Sequence, residues 1–200
     1  MDAENCERLE GNGNVLGITL SWTQHNPLNR YVELKSIKNL FKEAILHYFE
    51  DLHKLVIPAG TKFMISDSWF VNVRDPGIKT PAVVTNVHNH PFSVISGIFY
   101  LDDSDHGTMI YSDVKKPHWP FGWNQKGNIH TDLDTHPLKS EKGMLILFPA
   151  ETRHATIITK DAKDRNALVF NVWPVGTLSE RNTTRLDMVD ALTEFMEEDS

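Results

Sequence analysis

A single cysteine, Cys6, occurs in 200 residues. It excludes an internal disulfide framework and suits a reducing, cytoplasmic compartment. Long apolar runs are lacking: none approaches the roughly 20 residues that a membrane-spanning helix needs, so no membrane is expected as a partner. The acidic start MDAENCERLE lacks the pattern of a secretory signal. Positive charge is also short, with 20 Lys and Arg against 27 Asp and Glu for a net charge of −7. Because those basic residues are scattered, a nucleic-acid backbone is not expected as a partner; neutralising phosphates needs clustered cations. Biased tracts, internal repeats and linkers are absent too. What remains is 40% hydrophobic and 24% charged, the composition of a globular chain, and its length suffices for one domain with a sizeable core.

The chain reads as a single domain over 1–200. Its core lies at about 62–175, an N-terminal strand and helix lie within 15–55, and a tail at 179–200 can form a helix over 186–196. A strand is expected at 15–22 (VLGITLSW). From 33 to 55, Leu34, Ile37, Leu40, Phe41, Ala44, Ile45, Tyr48, Phe49 and Leu52 recur at helical spacing. That predicts a helix covering one face of a sheet, with His47 and His53 on or near its solvated side. Beyond Lys62 come short strands: KFMISDSWFVNV, AVVTNVHNH, SVISGIFYL, GTMIYSD, GMLILFP, HATIIT and NALVFNVWP. Turn clusters separate them, including Asp75-Pro76-Gly77 and residues 102–107, a spacing that suggests a sandwich or barrel. Residues 115–142 interrupt the pattern with Trp119, Phe121, Trp123 and several histidines. A connection this long inside a β domain is expected to be a lid or site wall.

Histidine is plentiful, with ten in the chain. His88 and His90 are two residues apart, and strand alternation would aim both imidazoles at one face, where they could share a metal. A third ligand must come from a segment distant in sequence. In 143–157 (GMLILFPAETRHATI) an apolar strand ends at Pro149 and His154 opens the next. A His-x-His is weak by itself in so histidine-rich a chain, and the second segment strengthens it. His130-Thr131-Asp132 competes as a literal His-x-Asp, but it sits in the long polar connection without a strand pattern around it.

The order of these motifs carries a resemblance. Gly143, Pro149 and His154 match the closing motif of cupin-type double-stranded β-helices, with Glu151 where that motif has glycine and Ile158 where it has asparagine. The glutamate ligand of the first cupin motif, near Val94 or Ile95, is missing. The chain more closely resembles 2-oxoglutarate/Fe(II) oxygenases, which share that barrel. His88-Asn89-His90, Phe99-Tyr100-Leu101-Asp102, Gly107, His154 and Arg165 follow their order of His-x-Asp, Tyr-Leu-Asn/Asp, glycine turn, distal His and Arg. HNHPFSVISGIFYLDD, DSWFVNV, LILFPAETRH and RNALVFNVW are similar to a small His-x-His-Pro group of these enzymes, over about residues 66–174.

The resemblance implies a mainly β fold, a double-stranded β-helix (a jelly-roll, cupin-like barrel), which the N-terminal helix read above, and a C-terminal one where the tail forms it, would flank. It implies Fe(II), 2-oxoglutarate and O2 as cofactor and cosubstrates. The expected activity is a dioxygenase that hydroxylates a small-molecule or peptide substrate and decarboxylates 2-oxoglutarate to succinate. His88, His90 and His154 would be the catalytic metal ligands. Arg165 would hold the distal carboxylate of 2-oxoglutarate with help from Tyr100, and Ser96 and Asn171 would line the pocket that binds it. The strand after Arg165 is expected to run antiparallel beside that of His154. His90 stands where the superfamily has a carboxylate, and three neutral ligands leave more positive charge on the metal than two His and one carboxylate do. Two other readings stay open: a three-His cupin-type iron dioxygenase that does not use 2-oxoglutarate, and a metal-free binding module. 2-Oxoglutarate dependence separates the first from the main reading, and metal content separates the second. A homodimer is compatible with the sequence and not required by it.

Overall fold

The computed structural model describes residues 18–19, 26–73, 82–83, 87–111, 124–125, 136–159 and 164–178. The rest of the expected 15–22 strand, the Asp75-Pro76-Gly77 turn, Trp119, Phe121, Trp123, His130, Asp132 and the 186–196 helix lie outside those residues.

The stretches of β-branched and aromatic residues form strands: β1 (Ile18–Thr19), β2 (Leu55–Val56), β3 (Lys62–Val73), β4 (Ala82–Val83), β5 (Ile95–Tyr100) and β6 (Ser104–Tyr111). They continue as β7 (Asn124–Gln125), β8 (His136–Ser140), β9 (Leu145–Pro149), β10 (Arg153–Ile158) and β11 (Arg165–Val175). One antiparallel sheet has the order β1-β3-β11-β5-β9, a second has β4-β10-β6-β8, and β2 pairs with β7. From β3 to β6, and again from β8 to β11, each strand lies in the sheet opposite to its predecessor's. That winding is a double-stranded β-helix.

Three expectations change here. β11 pairs with β3 and β5 in the five-stranded sheet, not with β10, which belongs to the other sheet. The chain therefore passes from one sheet to the other between β10 and β11, as the winding demands. The 115–142 connection is not wholly a lid, because its end supplies β8, the partner of β6. Gly107 is not in a turn but inside β6, where the ladder to β8 shifts register; a Cβ there would strike the Leu138 carbonyl.

The expected 33–55 helix is several pieces. A short helix α1 (Pro27–Arg30) and a 3₁₀ turn (Val32–Leu34) lead into α2 (Lys35–His47), and a π turn (Tyr48–Leu52) ends it before β2. Its buried face is narrower than the periodicity suggests. Phe41, Ile45, Tyr48 and Phe49 are buried, while Leu40 and Leu52 are 55% and 57% exposed. Only one side of the helix meets the sheet. There Phe41 stacks on Phe170 at 4.7 Å and meets the edge of Phe99 at 5.2 Å, and Phe49 stacks on Phe63 at 4.4 Å. Each such phenylalanine contributes about 1.5–3 kcal/mol by burial. His47 is exposed and pairs with Asp51. His53, expected in solvent, is instead buried against the Tyr48 ring, 4.3 Å between centroids.

Candidate active site

His88 and His90 converge with His154 by a route other than strand alternation. β4 includes only Ala82–Val83, and His88 makes an isolated bridge to His154. The His88 N–H donates to the His154 carbonyl at 3.0 Å, and the His154 N–H returns a bond to the His88 carbonyl at 2.9 Å. Two residues on, the His90 N–H donates to the Ala150 carbonyl at 2.8 Å. Backbone bonds to the Pro149 turn and to β10 thus fix the pair. The chain then turns at Pro91 and Phe92, where Phe92 takes φ 61° and is 91% exposed. One nitrogen from each of the three imidazoles lies within 4.8 Å of the other two.

Hydrogen bonds orient two of these rings. The His90 Nδ1 lies 2.8 Å from Asn171 Oδ1 and 2.8 Å from Ser96 Oγ, and the Ser96 hydroxyl itself donates to Asn171 Oδ1 at 2.8 Å. An amide oxygen only accepts, so Nδ1 carries the proton and Nε2 keeps its lone pair. His154 Nδ1 faces the Thr152 carbonyl at 3.0 Å, which selects the same tautomer. Burial pushes the His154 pKa down to about 4, helped by His88 and His90 and opposed by the Thr152 carbonyl. Burial also lowers that of His90, against the Asn171 bond. Both rings are therefore neutral at pH 7, the protonation state a metal requires.

The cluster opens on a cavity of about 430 Å³ inside the barrel, whose walls include Thr108, Val169, Asn171 and Arg165. Arg165 starts β11 and is 2% exposed. Its Nη2 donates to Thr108 Oγ1 at 3.2 Å, and its guanidinium lies 4.8 Å from the centre of the Tyr100 ring. Nε and Nη1 are buried without a hydrogen-bond partner among the described residues. An arginine remains charged in such surroundings, so two charged N–H groups await an acceptor.

The seven residues singled out from sequence divide into layers. His88, His90, His154, Arg165 and Asn171 line the cavity; Ser96 and Tyr100 do not. Ser96 sits behind His90. Tyr100 lies beneath Arg165 with its hydroxyl 2.7 Å from Thr108 Oγ1, so Thr108 takes the position at the wall expected of the tyrosine. Thr108 carried no motif. Its one sequence signal is its place two residues after His106 on an alternating strand. Asp67 and Trp69 also line the cavity, from alternate positions of β3; both belong to the DSWFVNV motif, which the sequence gives no role in the site.

Residues 67–171, just over half of the chain, match the family model described as "Putative 2OG-Fe(II) oxygenase". Among curated proteins no relative matches. Solved structures similar to this chain include an oxidoreductase of the 2OG-Fe(II) oxygenase family from Burkholderia pseudomallei, 15% identical with a TM-score of 0.43. That match covers 69% of this chain and 56% of the other, so the chain spans little more than half of that structure's length. A prolyl-4-hydroxylase from Pseudomonas putida is 12% identical with a TM-score of 0.48, covering 85% of this chain and 79% of that one.

Proposed function

The chain belongs to the 2OG-Fe(II) oxygenase family, and we propose that it is an active Fe(II)- and 2-oxoglutarate-dependent dioxygenase. The substrate is a small molecule or a peptide, with neither nucleic acid nor membrane as partner, in a reducing cytoplasm. Among the described residues no helix is long and apolar enough to cross a membrane.

The residues present fit the cofactor and cosubstrate. His90 and His154 turn Nε2 toward the shared point and are neutral, and His88 completes the set. Arg165, whose Nε and Nη1 have no hydrogen-bond partner among the described residues, suits a carboxylate in the cavity. His88, His90 and His154 would hold Fe(II). Arg165 and Thr108 would bind the distal carboxylate of 2-oxoglutarate, with Tyr100 holding Thr108 and the guanidinium in place. Bound there, iron, 2-oxoglutarate and O2 would supply the oxidising power to hydroxylate a C–H bond, as 2-oxoglutarate loses CO2 and becomes succinate. Asn171 and Ser96 keep the proton of His90 on Nδ1, and Val169 and Ile98 give the cavity an apolar wall.

The observation that carries this reading is the pair of Arg165 donors, Nε and Nη1, that have no acceptor among the described residues. A structural arginine would have found partners for them, since each unpaired buried donor costs about 1–3 kcal/mol. The test is 2-oxoglutarate binding to the Fe(II)-loaded protein without oxygen, read from the weak visible band of the complex. Wild type should show the band. Arg165→Ala should bind Fe(II) normally and bind 2-oxoglutarate roughly thirtyfold to several-thousandfold more weakly. No band in wild type would favour the three-His dioxygenase that does not use 2-oxoglutarate.

A further inference from the structure

The cavity has two ends with opposite formal charge. Arg165 pairs across the sheet with Val73 of β3, and Asn171 pairs with Asp67. Six strand positions separate the two rows, about 20 Å along the backbone at the usual rise. The Asn171 row lies at the histidines, because Asn171 bonds His90. A cosubstrate reaching from the histidines to Arg165 fills the Val169 row and leaves the Asp67 end for the molecule to be oxidised.

Asp67 and Trp69 are two residues apart on one face of β3, and both line the cavity. The Trp69 indole is 5.5 Å from the His90 ring. Asp67 stands outside the three-nitrogen cluster, so it is not a fourth member of that ligand set. Its Oδ1 accepts the Ser68 N–H at 2.8 Å, the one side-chain hydrogen bond it makes among the described residues, and no cationic side chain of the described residues pairs with it. A carboxylate half-buried in a largely apolar cavity, beside an indole, is a receptor for a positive charge: the carboxylate supplies the counter-ion, and the ring face attracts the ammonium.

We propose that Asp67 and Trp69 form the substrate-recognition pair of this site and select substrates bearing a cationic amine, seated beside the histidines at the end of the cavity opposite Arg165. The proposal rests on the oxygenase reading above and names its substrate class. Orientation follows from it: the ammonium anchored at Asp67 leaves the adjoining carbon chain beside the histidines.

The test uses the zinc-loaded full chain with saturating 2-oxoglutarate, titrated calorimetrically with N-acetyl-lysine methylamide and with its uncharged isostere, the N-acetyl methylamide of 2-aminoheptanoic acid. The lysine probe should bind about tenfold more tightly. Asp67→Asn, which keeps the bond from Ser68, should erase that preference and leave zinc and 2-oxoglutarate affinities and the melting temperature unchanged. Trp69→Leu should reduce the preference severalfold. Equal binding of both probes, no binding of either, or a preference that survives Asp67→Asn would overturn the proposal. Zinc and 2-oxoglutarate titrations of wild type are read separately: their failure would sink the oxygenase reading, whereas their success with no probe preference sinks only the assignment of Asp67.

Discussion

The two faces of β11 make different environments from one strand. On one side Leu168, Phe170 and Val172 lie in an apolar layer with Phe41, Ile45 and Ile95, closed over by α2. On the other, Arg165, Val169 and Asn171 face the cavity. The neighbouring β5 divides the same way: Ile95 and Phe99 turn toward the helix, while Ser96 and Tyr100 turn inward. A slip of one residue would exchange the two sets, placing Leu168 and Phe170 in the cavity and Arg165 under the helix. The outer face therefore secures a register that the inner face needs and cannot stabilise by itself. The inner face carries buried donors without acceptors, and the outer face offsets that cost with aromatic packing.

Breaking the outer face should give the largest effect. Phe41→Ala removes a fully buried ring stacked on Phe170 and should cost about 3–5 kcal/mol of stability, measured by urea unfolding. Zinc and 2-oxoglutarate affinities of the folded fraction should stay at wild-type values; a parallel loss would mean that the two faces are not separable. On the inner face, Arg165→Met should do the reverse. It weakens 2-oxoglutarate binding by about 2–5 kcal/mol yet raises the melting temperature of the ligand-free protein, because it deletes two buried unpaired donors. A fall of several degrees would assign Arg165 a structural role.

Smaller changes sharpen the division. Gly97 turns its α-carbon toward the outer layer, where a Cβ would meet the Phe170 ring. Gly97→Ala should cost about 1–3 kcal/mol by overpacking, with metal affinity unchanged in a zinc titration. Its neighbour Ser96 points inward, and there the readout inverts. Asn171→Ala should weaken zinc binding about ten- to a hundredfold. Ser96→Ala should weaken it only about fivefold, because Asn171 still holds His90 Nδ1. Equal effects of the two would place the hydroxyl, not the amide, in control of the tautomer.

Much of this division is legible in the sequence. Period-two alternation in RNALVFNVW and SVISGIFYL gives the strands and sorts their residues onto two faces, and the order of His88, His90, His154 and Arg165 gives the site. Which inward residues reach the cavity is not legible. Ser96 and Tyr100 are on the correct face but covered by Asn171 and Thr108, a second layer that depends on how β5, β6 and β11 meet. β8 is hidden because its HPLKS reads as polar connection and its strand character comes from pairing with β6. The approach of His88 and His90 to His154 has a different local cause from the strand alternation that the sequence suggests. The sequence marks an extended segment there, whereas backbone bonds to Ala150 and His154 set the angle.

That bridge also bears on how long the folded chain lasts. His88 and His154 are about 66 residues apart, and a loop of that length is costly to close by chance. Their reciprocal backbone bonds already hold the two ends together, and an ion bound by both side chains would fasten the clasp. A ligand that binds only the folded state stabilises it by RT ln(1 + [L]/Kd). Metal supply would then govern protease resistance: without an ion at the three histidines, the chain would open more often and be cut faster.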